Sequence, residues 1–191
     1  MESLDQRIKR VAEEEVLIEP YSMAWPSMFK KEKEHLLSCF PSRLINRIEH
    51  FGSTAVPNLS AKPIIDMLVE VTSLDEVKKI IVPHLESLGY EYFWRPMGDD
   101  NVPPFYAWFI KRDINGKRTH HIHMVEPNFS DWDRLHFKNY LIENPEVAKD
   151  YQNLKYYLSE KYRNNRVEYT SKKGEFIKKY TNIAKMYYEK V

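Results

Sequence analysis

The chain has 191 residues, a 42% hydrophobic fraction, 14% aromatics and a formal charge of +1. That length suits one well-packed domain, the composition excludes a disordered chain, and the near-neutral charge excludes a global pull toward nucleic acid. One cysteine, Cys39, excludes an internal disulfide and a thiol-rich zinc site.

Residues 1–15 read as a polar helical lead-in, too charged (Glu2, Asp5, Arg7, Lys9, Arg10) for a secretory signal. Val16 to Glu19 is a short strand candidate ending at Pro20. Pro26 suits a first helical turn, and Met28, Phe29, Leu36, Leu37 and Phe40 keep helical spacing up to Pro41. Leu44 to His50 predicts a core strand that feeds a Gly52-Ser53 turn, and Ile64 to Val71 predicts a second. Asp75 to Leu88 has helical spacing, capped by Ser73 and stopped by Gly89, with Pro83 implying a late start, kink or break. Tyr90 to Trp94 is strand-like, and Asp99, Asp100 and Asn101 form a candidate lid loop. Phe105 to Lys111, the Asn115-Gly116 turn and Thr119 to Val125 predict a hairpin. Beyond Pro127, helical spacing recurs over 131–141, 145–163 and 172–188. The expected architecture is one α+β domain over 1–191: a mixed sheet of four to five strands flanked by helices, with a helical C-terminal part over 128–191. Lysines and arginines crowd that part (Lys155, Lys161, Arg163, Arg166, Lys172, Lys173, Lys178, Lys179). They predict a solvated helix face with room for one or two phosphate-facing residues. No stretch approaches about 18 consecutive apolar residues, so the expected protein is cytoplasmic with no membrane partner.

Three groups of residues carry chemistry. The Gly52-Ser53-Thr54 turn offers backbone N–H groups and hydroxyls to phosphate oxygens, or simply caps a helix. Asp66, on the next strand, can hold a divalent ion against such phosphates. Glu70 shares its face but stands about 13 Å away along the strand, too far to share the ion. In Thr119-His120-His121-Ile122-His123, alternation puts His121 and His123 on one face and His120 on the other. Should this strand lie beside that of Asp66, Asp66, His121 and His123 form a mixed site in which imidazole favours zinc, manganese or iron over magnesium. Glu49 and His50 point to opposite faces, so one can join the same cleft. Lys62 can neutralise phosphate charge. The aromatic clusters predict core.

Several pieces resemble the GrpB family of the nucleotidyltransferase superfamily: Tyr21 with Trp25-Pro26, Glu49 to Pro57, Ala61 to Asp66, His121-Ile122-His123, Phe137 to Leu141, Tyr151, Leu154-Lys155, and Tyr169 with Lys172. The resemblance covers roughly residues 16–185. It implies a nucleotidyltransferase-like fold and a site made of a Gly-Ser turn, two acids two apart on the next strand, and a third carboxylate on a neighbouring strand. Gly52, Ser53 and Asp66 match that pattern. Leu68 stands where the second acid belongs, and His121 or His123 replaces the third carboxylate. Lys138-Asn139 follows Phe137 where the family commonly has Arg-Asp. Fusion of some members to dephospho-coenzyme A kinase implies a nucleotide or coenzyme A context.

The leading expectation is a nucleotidyl or phosphoryl transferase for a nucleotide or phosphorylated small molecule, using magnesium or manganese, with zinc as a further choice. In that reading Gly52, Ser53, Thr54 and Lys62 hold phosphate, and Asp66, His121 and His123 hold the metal or move protons. One alternative is an inactive nucleotide- or anion-binding module of the same fold. The other is a His/Asp metal-dependent phosphoesterase.

Overall fold

The computed structural model describes residues 2–96 and 103–189, which fall into two compact units. The expected lid at Asp99, Asp100 and Asn101 lies outside the described residues. In chain order the elements are α1 (Leu4–Glu13), α2 (Trp25–Cys39), β1 (Ile45–Phe51), β2 (Ile65–Val71), α3 (Leu74–Glu76), α4 (Val82–Ser87), β3 (Glu91–Pro96), β4 (Phe105–Arg112) and β5 (Arg118–Val125). Then come α5 (Arg134–Glu143), α6 (Pro145–Lys161), α7 (Arg166–Lys172) and α8 (Gly174–Tyr188).

The sheet unit comprises Ser22–Ala55 and Ile64–Trp132. Its five strands run in the order β1-β2-β5-β4-β3, antiparallel except for the parallel pair β2/β5. The mixed sheet with flanking helices is the α+β fold that the sequence predicts. β2 and β5 are both central, with neighbours on each side, and most of their residues are buried. On one face Met67, Ile122 and Phe109 stand in register, fully buried, with α2 packed on β1 and β2 and α4 on β3. The helix expected over 75–88 is continuous but not regular. A π-helical turn, Val77–Ile81, joins α3 to α4, and the Val82 N–H reaches back to the Val77 carbonyl. Pro83, in the first turn of α4, has no N–H to give and crowds the preceding turn, which the wider π turn accommodates.

His120 lies on this helix-covered face, as alternation predicts. Burial, above all, holds its imidazole below the ordinary value, with Lys111 adding to the shift and Glu32 opposing it. The folded protein therefore keeps a neutral ring where the unfolded chain binds a proton. Its contribution to stability is fully present above the unfolded pKa, about 6.5, and is lost as pH falls below it toward the folded value. Urea midpoints between pH 7.5 and 5 are expected to fall more steeply in the native protein than in His120→Gln. Parallel slopes would show that His120 is not desolvated.

The helical unit comprises Met1–Tyr21, Val56–Pro63 and Asp133–Val191. Ser3 opens α1 with a capping box in which its hydroxyl accepts from the Gln6 N–H and the Gln6 side chain accepts from the Ser3 N–H. One core gathers Val56, Leu59, Phe137, Leu141 and Tyr151, and a second gathers Val16, Leu158 and Tyr169. Two local expectations change. The strand over 16–19 reduces to a single bridge, Glu19 to Ala61. The last helix is preceded by a separate one, α7, capped by the Asn165 side chain at the Glu168 N–H. No described helix is long and apolar enough to cross a membrane.

Candidate functional site

The other face of the sheet carries the candidate residues. Parallel pairing sets Asp66 beside His121 and Leu68 beside His123, while the β1 ladder sets Phe51 beside Asp66 and Glu49 beside Leu68. The condition attached to the mixed site is thus met: β5 adjoins β2, and in the right register. One ligand atom from each of Asp66, His121 and His123 lies within 4.8 Å of the other two. The His121 Nδ1 stands 3.1 Å from the Asp66 Oδ1. His121 is buried, whereas His123 and Asp66 are half-buried and open the group to solvent.

Aromatic rings fix the imidazoles. Tyr106 stacks on His123 at 5.4 Å and Phe51 meets it edge-on at 5.2 Å, while Trp108 meets His121 edge-on at 5.0 Å. Strand rings that look like core by composition therefore line the site. The Trp108 indole is 6% exposed, and its Nε1 has no hydrogen-bond partner among the described residues. The Arg95 guanidinium lies over the same indole, 5.0 Å from its centroid.

Arg118 is the residue that sequence reasoning missed. In the β4/β5 ladder Lys111 pairs with His120, but Arg112 pairs with Arg118, so Thr119 is an extra residue on β5. This bulge turns Arg118 onto the face of His121, where plain alternation would send it to the opposite side. Its Nη1 lies 3.4 Å from the His121 Nε2, and the side chain is buried. No pattern in Arg118-Thr119-His120 announces the bulge.

The remaining candidates are placed as follows. Gly52 has φ +73°, and a Cβ there would lie 2.4 Å from the Asp66 Oδ2, so the turn presses directly on the carboxylate. Ser53 opens a three-residue 3-10 turn, Ser53–Ala55, and no longer helix follows it. The Thr54 hydroxyl is buried and donates to the Ile64 carbonyl at 3.2 Å, with the His50 Nε2 3.0 Å away on the same oxygen. His50 stacks on Phe29 of α2, on the helix-covered face. Glu49 shares the face of Asp66 and pairs with Arg47 at 3.7 Å. Glu70 accepts from the Asn46 amide. Lys62 belongs to the helical unit, with its ammonium 5.2 Å from the Tyr169 ring centroid.

Comparison with known proteins identifies the family. The GrpB protein family profile matches residues 15–182. The glutamate-rich protein GrpB of Alkalihalophilus pseudofirmus is 37% identical over 169 residues, 88% of this chain and 95% of that protein. The UPF0157 protein YqkA of Bacillus subtilis is 37% identical over 86% of this chain, which spans 46% of that longer protein. The crystal structure of conserved protein GrpB from Enterococcus faecalis superimposes with a TM-score of 0.77 at 35% identity, covering 90% of this chain and 99% of that one. With the profile matched over most of its length and relatives this similar, the chain belongs to the GrpB family.

Proposed function

We propose that the sheet unit is a one-metal centre for phosphoryl or nucleotidyl transfer, acting on a nucleotide or phosphorylated small molecule. The observation that carries this reading is the convergence of Asp66, His121 and His123 across the β2/β5 pair. Two imidazoles and one carboxylate suit manganese or zinc better than magnesium. Bound there, a divalent ion would polarise a phosphoryl oxygen as a Lewis acid. Leu68 is fully buried and has no ligand atom, which limits the site to one ion and argues against a two-metal mechanism. Arg118 and Arg95 bring positive charge to the same face for phosphate oxygens, and Asp66, at the open edge, meets the substrate side.

The test is manganese binding followed by paramagnetic resonance, with calorimetry of a nucleotide panel in the presence and absence of the ion. Asp66→Asn and His123→Ala are each expected to weaken manganese binding by more than about 100-fold, beyond the loss typical of outer-sphere partners. Metal-dependent turnover is expected to disappear with them. Unchanged manganese affinity in both variants would refute the metal centre.

One observation favours a second reading, an anion-binding module without catalysis. A guanidinium only donates, so the contact from Arg118 makes the His121 Nε2 an acceptor and leaves the ring proton on Nδ1, facing the Asp66 carboxylate. This closed Arg118–His121–Asp66 chain needs no ion. Nucleotide binding that survives chelator treatment and is lost in Arg118→Gln would favour the module over the enzyme.

A further inference from the structure

The helical unit contains a buried lysine without a carboxylate partner among the described residues. Lys155 on α6 is 1% exposed, and its ammonium donates to the Ser60 carbonyl, the one hydrogen bond it makes among the described residues. Ser60 is itself fixed, its N–H donating to the Gln152 side chain at 2.9 Å. The Lys155 Nζ also lies 4.8 Å from the centre of the Tyr151 ring. An ammonium offers three protons, and a buried charge is normally matched by an opposite charge. What lies around Lys155 is more positive charge, since Lys173 is close enough to repel it.

Two further lysines meet on a neighbouring ring. The ammonium groups of Lys62 and Lys173 each stand 5.2 Å from the centre of Tyr169, so they are separated by no more than twice that distance. Tyr169 is buried, whereas Lys62 and Lys173 are half-buried. Three cations from separate segments (the 56–63 connection, α6 and the α7/α8 junction) thus gather around two tyrosine rings, with the innermost charge facing no carboxylate among the described residues. Compact ammonium charges on flexible stems suit phosphate oxygens, which accept from several directions.

We propose that Lys62, Lys155 and Lys173 form an anion site in the helical unit that takes a phosphate or diphosphate group. Lys155 forms its floor and the other two its rim. Tyr151 and Tyr169 act as positioning residues that hold the ammonium stems. This site rests on the helical unit alone and is independent of the Asp66 centre.

The probe is inorganic pyrophosphate, titrated calorimetrically into the full chain at pH 7 without divalent metal, in two buffers of different ionisation enthalpy. Burial and the Lys173 charge push the Lys155 ammonium down to about 7, so an anion seated against it draws a proton onto the site. Expected for the native protein are binding, proton uptake on binding, and affinity that falls from pH 7 to pH 9. Lys155→Met and Lys173→Gln are each expected to weaken pyrophosphate at least tenfold, and Lys155→Met to abolish the proton uptake. In the Arg118→Gln background, which removes the sheet-face guanidinium, the Lys155-dependent proton uptake is expected to persist, which separates the site from the sheet face. The proposal is overturned if the native protein does not bind millimolar pyrophosphate, or if Lys155→Met and Lys173→Gln bind it as tightly as the native protein. Should Lys155→Met fail to fold, affinity and proton uptake in Lys173→Gln decide, since Lys173 is at the rim.

Discussion

Gly52→Ala is expected to destabilise the protein by about 2–5 kcal/mol and to abolish manganese binding. Two effects add. At φ +73° an L-residue costs about 1–2 kcal/mol, because its Cβ crowds the following carbonyl. The new methyl would also stand 2.4 Å from the Asp66 Oδ2, 2.9 Å from its Cβ and 3.0 Å from its Cγ. Asp66 cannot yield freely, since its other oxygen is hydrogen-bonded to His121 and its backbone is locked between β1 and β5. Urea denaturation measures the loss, and the double variant Gly52→Ala/Asp66→Ala separates its parts. Removing the carboxylate relieves the contacts to Oδ2 and Cγ but not the one to Cβ, so about 1–2 kcal/mol of coupling is expected. A loss of only about 1–2 kcal/mol in the single variant, with no coupling in the double variant, would show that the turn and the carboxylate are not pressed together.

That contact also decides between two explanations of the glycine. A Gly-Ser turn can be glycine because a phosphate approaches the backbone, or because the chain itself leaves no room. Here the carboxylate of the next strand fills the space, so Gly52 is needed even with no ligand bound.

What the sequence left illegible follows the same division between local and long-range causes. Turns, caps and strand alternation depend on neighbours in the chain. The Ser73 cap, the Asn115-Gly116 hairpin and the opposite faces of His120 and His121 were all readable from composition and period. The meeting of Asp66 with His121 was readable only as a condition. Whether β5 adjoins β2, and in which register, is set by packing of the whole sheet across 55 residues of separation. Arg118 was out of reach for a different reason. A single extra residue at Thr119 inverts its side, and nothing in the residue types marks the bulge. Thr54 shows the limit of residue type alone, for its hydroxyl suits phosphate as well as it suits the Ile64 carbonyl that it serves in the fold. Lys155 stood in a run of basic residues that predicts a solvated face, and most of that run is indeed exposed. Its burial follows from where α6 faces the Ser60 segment, which no helical period reveals.

That burial has a large expected consequence for stability. Desolvation first, and the Lys173 charge second, lower the Lys155 ammonium from an ordinary 10.5 to about 7. Between those two values the unfolded chain holds a proton that the folded chain has released, so stability rises with pH across the window. From pH 7 to pH 9 this one group is expected to add about 2 kcal/mol. Tyrosines and other groups also titrate on the alkaline side, so the quantity to measure is the difference between native protein and Lys155→Met in urea at pH 7, 8 and 9. The native protein is expected to gain about 2 kcal/mol on the variant over that range. A difference that does not change with pH would mean that the ammonium remains solvated. Pyrophosphate supplies the complementary limb of the argument. An anion against Lys155 restores the proton that burial removes, so its stabilising effect is expected to be largest at pH 7 and to shrink toward pH 9. In Lys155→Met neither pH trend is expected, because the methionine occupies the same pocket without a charge to lose or to regain.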